Sequence, residues 1–198
     1  KPAFLGVKAF KNFPLETLRQ YLDWTPFFQT WELAGRYPKI LEDEVVGKEA
    51  TKLFNDANKM LDNIIVRRLY TANGVVAFYP ANAVGDDVEL YTDETRTEVK
   101  ETFHFLRQQG QKGDGIPNLS LADFIAPKET GIADYFGGFA VTTGHGLEKI
   151  VEEYHRDHDD YNSIMTKALA DRLAEALAEM LHKQVRAGWY AADESLGE

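Results

Sequence analysis

The feature that most constrains the fold of this chain is an apolar stripe near its C-terminal end. From about Asp159 to Ala187, Met165, Leu169, Leu173, Leu177 and Leu181 recur every four residues, and Ile164, Ala168, Ala176 and Met180 widen the band. Residues four apart lie nearly above one another on an α-helix, so the segment predicts one long helix with a buried face. Asp159 and Asp160 stand at its start, where the helix dipole favours acids. Lys183 and Arg186 stand near its end, where bases are favoured.

Other helices are read the same way. After Gly47, the spacing of Ala50, Leu53, Phe54, Ala57, Leu61, Ile64 and Ile65 predicts a helix over about Lys48 to Arg67. Leu147 to Arg156 reads as a helix ahead of the long one, and Leu15 to Leu22 as a short helical turn. Asp23-Trp24-Thr25-Pro26-Phe27-Phe28 opens another, with Asp23 or Thr25 as N-cap and Pro26 in the first turn, so that Phe27, Phe28 and Trp31 plug the core.

Between these helices lie strand signals. Val75 to Tyr79 and Val88 to Tyr91, the latter following Gly85-Asp86-Asp87, read as a hairpin. Phe103 to Leu106 is a third candidate. Ala133 to Thr143, aromatic and glycine-containing, suits a buried strand with a close backbone neighbour. Gln108 to Asn118 reads as a loop, and Ser120 to Phe124 as a helical turn ended by Pro127. Helices before and after a run of strands predict an α+β fold, a twisted antiparallel sheet packed with helices and carrying a long C-terminal helix. Residues 1–14, with Pro2, Pro14 and no clear period, read as an irregular linker, and residues 15–198 as one domain.

A chain of 198 residues, 44% hydrophobic, suffices for one sizeable core. Its formal charge of -10 repels nucleic acid and anionic membrane, so neither is expected as a partner. The absence of cysteine excludes disulfides, thiolate metal sites and a cysteine nucleophile, and fits a reducing compartment; a cytoplasmic location is the expectation. No apolar run approaches the roughly 20 residues that span a bilayer. Because the chain starts at Lys1, it is expected to be cut from a longer one.

Phosphate-loop and Gly-x-Gly-x-x-Gly signatures are absent, which argues against a Rossmann-type cofactor site. His155-Arg156-Asp157-His158-Asp159-Asp160 has ligand types that suit a metal, but its crowding between two helices is more simply read as a solvated junction that caps the second. No metal is expected there. Asp171, Glu175 and His182 share one side of the long helix with Ala168 and Ala178, and carboxylates flanked by alanines allow close approach of a cation or of hydroxyls. Pattern alone favours ordinary surface positions. Pattern alone likewise explains Asp23 as a cap, and Pro80-Ala81-Asn82 and Phe124-Ile125-Ala126-Pro127-Lys128 as turns. No catalytic residue is proposed.

Several segments in order, from about Leu15 to Trp189, carry a family resemblance. Asp23-Trp24-Thr25-Pro26-Phe27-Phe28 with Trp31, Gly74-Val75-Val76 through Tyr79-Pro80-Ala81-Asn82, Leu106-Arg107-Gln108-Gln109, Leu121-Ala122-Asp123-Phe124-Ile125-Ala126-Pro127, and Asp159-Asp160-Tyr161-Asn162-Ser163-Ile164-Met165 running into Ala168-Leu169-Ala170-Asp171-Arg172-Leu173-Ala174-Glu175-Ala176 look like the activation domain of cobalamin-dependent methionine synthase, a methyltransferase. The resemblance implies that the domain binds S-adenosylmethionine in a shallow groove and docks over the cobalamin-binding domain of the same enzyme. It also implies reductive methylation of cob(II)alamin to methylcobalamin, with an electron from a flavodoxin-type donor. By position Asp23 and Glu175 match the family's acidic ligand contacts, and Asp171 lies on the same helix face.

The family's Arg-x-x-x-Gly-Tyr motif, which supplies an arginine to the methionine moiety, falls downstream of the long helix, and the chain contains no such motif. A fragment truncated at its C-terminus and inactive alone is therefore expected. The other reading is a docking module that binds a cobalamin domain or flavodoxin without a methyl-donor site of its own.

Overall fold

A computed structural model describes residues 1–190, except for the side chain of Tyr190; residues 191–198 of the expected domain lie outside the described residues. In chain order the elements are β1 (Gly6–Phe10), α1 (Leu15–Leu18) running into a 3-10 turn (Arg19–Tyr21), α2 (Trp24–Thr30), a 3-10 turn (Lys39–Glu42), α3 (Gly47–Arg67), β2 (Thr71–Val84), β3 (Asp87–Tyr91) and β4 (Val99–His104). Two 3-10 turns follow (Leu121–Phe124 and Lys128–Thr130), then β5 (Asp134–His145), α4 (Leu147–Arg156) and α5 (Asp160–Gln184), which continues as a π-helical stretch (Val185–Tyr190). The strands form one sheet in the order β1-β2-β3-β4, with β5 also paired to β2. This is the α+β class read from the sequence, long C-terminal helix included. No helix among the described residues is long and apolar enough to cross a membrane.

Contacts divide the described residues into two units. One comprises Ala9–Val75 and Ala140–Gln184. Here α1, α2, α3 and α4 all pack against α5. The row Met165, Leu169, Leu173, Leu177 and Leu181 is buried along its whole length, each side chain contributing roughly 1.5–3 kcal/mol relative to exposure. Ala168, Ala170, Ala176, Thr166 and Ser163 are buried beside it, so α5 is enclosed on more than one face. Ile164, expected to widen the stripe, is 43% exposed instead, because it points about 100° away from its buried neighbour Met165. On α3, Ala50, Leu53, Ala57, Leu61 and Ile64 are buried as the spacing requires. The helix ends at Arg68 in the left-handed region (φ 51°), where the Arg68 and Leu69 N–H groups donate to the Ile65 and Ile64 carbonyls. Gly74 in β2 lets α5 approach closely, since a Cβ there would stand 3.1 Å from Leu181 Cδ1.

Two buried hydrogen bonds fix α5 from the side. The Tyr70 phenol donates to the Thr166 carbonyl at 2.9 Å and also meets Thr166 Oγ1. Thr143 Oγ1 donates to the Ala170 carbonyl at 2.6 Å. In the same unit, Trp24 sits edge-on to Phe27 and Phe54, with ring centroids 5.3 and 4.8 Å away, a geometry favoured by the ring quadrupoles.

The other unit comprises Lys1–Lys8, Val76–Phe139 and the described residues from Val185. The expected hairpin is present. It turns at Gly85 (φ 64°) with Val84 opposite Asp87, and it pairs Ala81 to Leu90. Its first strand is longer than read: Pro80, Ala81 and Asn82, expected as a turn, belong to β2 and are buried. The third strand also differs. It covers Val99–His104 rather than Phe103–Leu106, because pairing with β3 runs from Tyr91 opposite Val99 to Asp87 opposite His104 and leaves Phe105 and Leu106 without a partner strand.

Two further expectations change. Gly6–Phe10, read as irregular, is strand β1; it forms by pairing with β2 rather than from any periodicity of its own. β5, expected to be buried, is exposed from Gly137 to Ala140; the strand it pairs with among the described residues is β2. The close neighbour expected for its glycines is a side chain: a Cβ on Gly137 would come within 2.8 Å of the Phe78 ring.

Candidate functional site

Asp23 occupies the N-cap of α2. Its Oδ1 accepts the Thr25 N–H at 2.9 Å, and Thr25 Oγ1 accepts the Tyr37 N–H at 3.3 Å. The cap is thus Asp23 and not Thr25. The carboxylate is exposed, and among the described residues its second oxygen has no hydrogen-bond partner. Behind it, Trp24, Phe27 and Phe28 are buried and fix the helix on which the acid stands.

Asp171 and Glu175 are exposed on α5, and His182 lies exposed further along. Ala168, expected on the same face, is buried, while Ala178 is half-buried. Between the two acids the structure places a residue that sequence reading missed. Arg172 donates from Nη2 to Asp171 Oδ2 at 2.6 Å and from Nη1 to Glu175 Oε2. Its side chain is only 14% exposed, against 73% for Asp171 and 55% for Glu175. A guanidinium fork thus engages one oxygen of each carboxylate. The other oxygens, Asp171 Oδ1 and Glu175 Oε1, have no hydrogen-bond partner among the described residues. The i,i+3 spacing of Arg172 and Glu175 is the available signal for this pair.

The His155–Asp160 run performs the capping role read from the sequence. Asp159 Oδ1 accepts the Asn162 N–H at 3.0 Å, and its Oδ2 accepts from Asn162 Nδ2 at 2.6 Å. These bonds hold the Asp159 carboxyl below the usual carboxylate range. His155 Nε2 lies 3.1 Å from Ser163 Oγ. No group of three or more metal-ligating side chains occurs among the described residues.

The other segments singled out in the sequence are occupied with the fold. Asn82, 4% exposed, donates to the Ala126 and Ile132 carbonyls at 3.0 and 2.9 Å. Arg96, with φ 53°, donates to the Ala81 carbonyl, Asn82 Oδ1 and the Asp134 carbonyl at 3.0, 3.0 and 2.8 Å. Its guanidinium lies over the Tyr91 and Tyr135 rings, 5.8 and 5.4 Å from their centroids. These groups satisfy one another.

The family model for the activation domain of vitamin B12 dependent methionine synthase matches residues 14–198. The chain belongs to that family. Among solved structures, the activation domain is similar to the MetH reactivation domain bound to AdoHcy, with 55% sequence identity and a TM-score of 0.93 over 98% of this chain. The chain spans 60% of that relative's length.

Proposed function

We propose that this activation domain binds S-adenosylmethionine through Asp23 and the Asp171/Glu175 face of α5, and presents its methyl group to a cobalamin held by another domain of the parent enzyme. One electron from a flavodoxin-type donor and the methyl group of S-adenosylmethionine would convert cob(II)alamin to methylcobalamin and leave S-adenosylhomocysteine. The observation that carries this reading is the relative at 55% identity, which binds AdoHcy, the molecule that remains when S-adenosylmethionine has given up its methyl group.

The residues present suit such a donor. S-adenosylmethionine carries a sulfonium and an α-ammonium, and three exposed carboxylates each keep one oxygen available among the described residues. Methyl transfer to a reduced cobalt centre consumes no proton, so no general base is required; alignment of donor and acceptor is what the protein has to supply. These residues offer the acidic side of a groove. Cobalamin and the electron donor come from elsewhere, so the chain alone is inactive on this proposal.

The alternative is a docking module without a donor site, and its support is that Arg172 already neutralises part of the Asp171/Glu175 charge. Calorimetric titration of the full-length protein with S-adenosylmethionine separates the two. Binding is expected, weakened by Glu175→Ala and by Asp23→Asn, the latter keeping a good N-cap while removing charge. Unchanged affinity in both variants removes these residues from the site. Affinity for a cobalamin-binding domain with none for S-adenosylmethionine selects the alternative.

A further inference from the structure

We infer that Arg172 is a positioning residue for the methyl donor, fixing Asp171 and Glu175 so that Oδ1 of the one and Oε1 of the other are held outward for a cationic ligand. The inference rests on the reading of this face as the S-adenosylmethionine site. Helix geometry alone does not produce the arrangement. Residues one apart on a helix point about 100° from each other, and an exposed arginine at position 172 would pair with Glu175 and ignore Asp171. Here the side chain as a whole is only 14% exposed and its guanidinium reaches both acids, using Oδ2 of one and Oε2 of the other.

An exposed pair held by flexible side chains contributes little, because both partners lose rotamer freedom to make it. A planar fork on a side chain only 14% exposed is different: it grips both carboxylates at once, so the acids lose freedom before any ligand arrives. The ligand then meets two ordered carboxylates. Arg172 also leaves the pair with one net negative charge, which matches a sulfonium without trapping it.

The test is a titration of the full-length protein with S-adenosylmethionine in two backgrounds. Arg172→Met keeps the apolar stem and removes the fork. In the otherwise unaltered protein its affinity should fall about tenfold, the scale of one lost charged hydrogen bond. In an Asp171→Asn/Glu175→Gln background the same substitution should change affinity by less than about twofold, because a residue that acts through others has no effect once they are neutral. An equal fall in both backgrounds shows that Arg172 acts through the helix at large and overturns the inference, as does no fall in the unaltered protein. If the Asp171→Asn/Glu175→Gln protein itself binds as tightly as the unaltered one, the site reading fails and takes Arg172 with it. A weakened double variant beside a silent Arg172→Met overturns the inference alone. Should Arg172→Met lower the melting temperature enough to obscure binding, Arg172→Lys replaces it: a point charge that reaches one acid and not both should still lose affinity, and full affinity in that variant overturns the role.

Discussion

Thr143 in β5 and Ala170 in α5 are joined by a buried hydrogen bond, Thr143 Oγ1 donating to the Ala170 carbonyl at 2.6 Å. This contact holds the helix immediately before the acidic residue Asp171. Thr143→Val keeps the shape of the side chain and removes the donor, while the Ala170 carbonyl retains the helical position that accepts an i+4 N–H. The expected cost is about 1 kcal/mol, lowering the melting temperature by roughly 2–4 °C for a chain of this size. Scanning calorimetry of the two proteins measures it, and equal melting temperatures would show that the bond contributes nothing.

Tyr70 carries a pH dependence. Burial pushes its phenol up to about 12 from an ordinary 10. Between these values the unfolded chain releases the proton and the folded chain keeps it, so the contribution of the neutral phenol is complete below pH 10 and is lost as pH rises to about 12. Denaturant midpoints across that window should fall more steeply in the unaltered protein than in Tyr70→Phe. Parallel slopes would place the phenol in contact with water.

Arg107 grips the turn at Leu121–Phe124. It donates to both oxygens of Asp123 at 2.7 Å, to the Asn118 carbonyl at 2.6 Å and to Asp86 Oδ1 from Nε and Nη2. The guanidinium, with the Ser120 N–H, lowers the Asp123 carboxyl to about 2 from an ordinary 3.8. Its contribution is therefore full above pH 3.8 and lost as pH falls to about 2. A carbon-13 titration of the Asp123 carboxyl in Arg107→Met should show the midpoint moving up toward the ordinary value; a midpoint that stays low would assign the shift to the Ser120 N–H alone.

Periodicity located α3 and α5 because a helix writes its buried face into the spacing of a single segment. The cap of α2 was legible as Asp23 or Thr25, since capping is settled within three residues, and the structure selects Asp23. The strands were less so. β1 exists because β2 lies beside it, the end of β4 is set by where β3 stops, and Ala81 and Asn82 are strand because they pair with Leu90 and Glu89 of β3, while the Asn82 side chain finds the Ala126 and Ile132 carbonyls. Those partners are far away in sequence, and nothing local announces them.

The sequence by itself determined the α+β class, the long apolar row of α5 and, through ordered motifs, the family. The acids at 23, 171 and 175 were named from that resemblance. Only the tertiary structure decided which oxygens of those acids are engaged: the Arg172 side chain, 14% exposed within the fold, reaches Asp171 Oδ2 and Glu175 Oε2 together. Hydrophobic spacing records what is buried. It does not record how a charge on the helix divides itself between its partners.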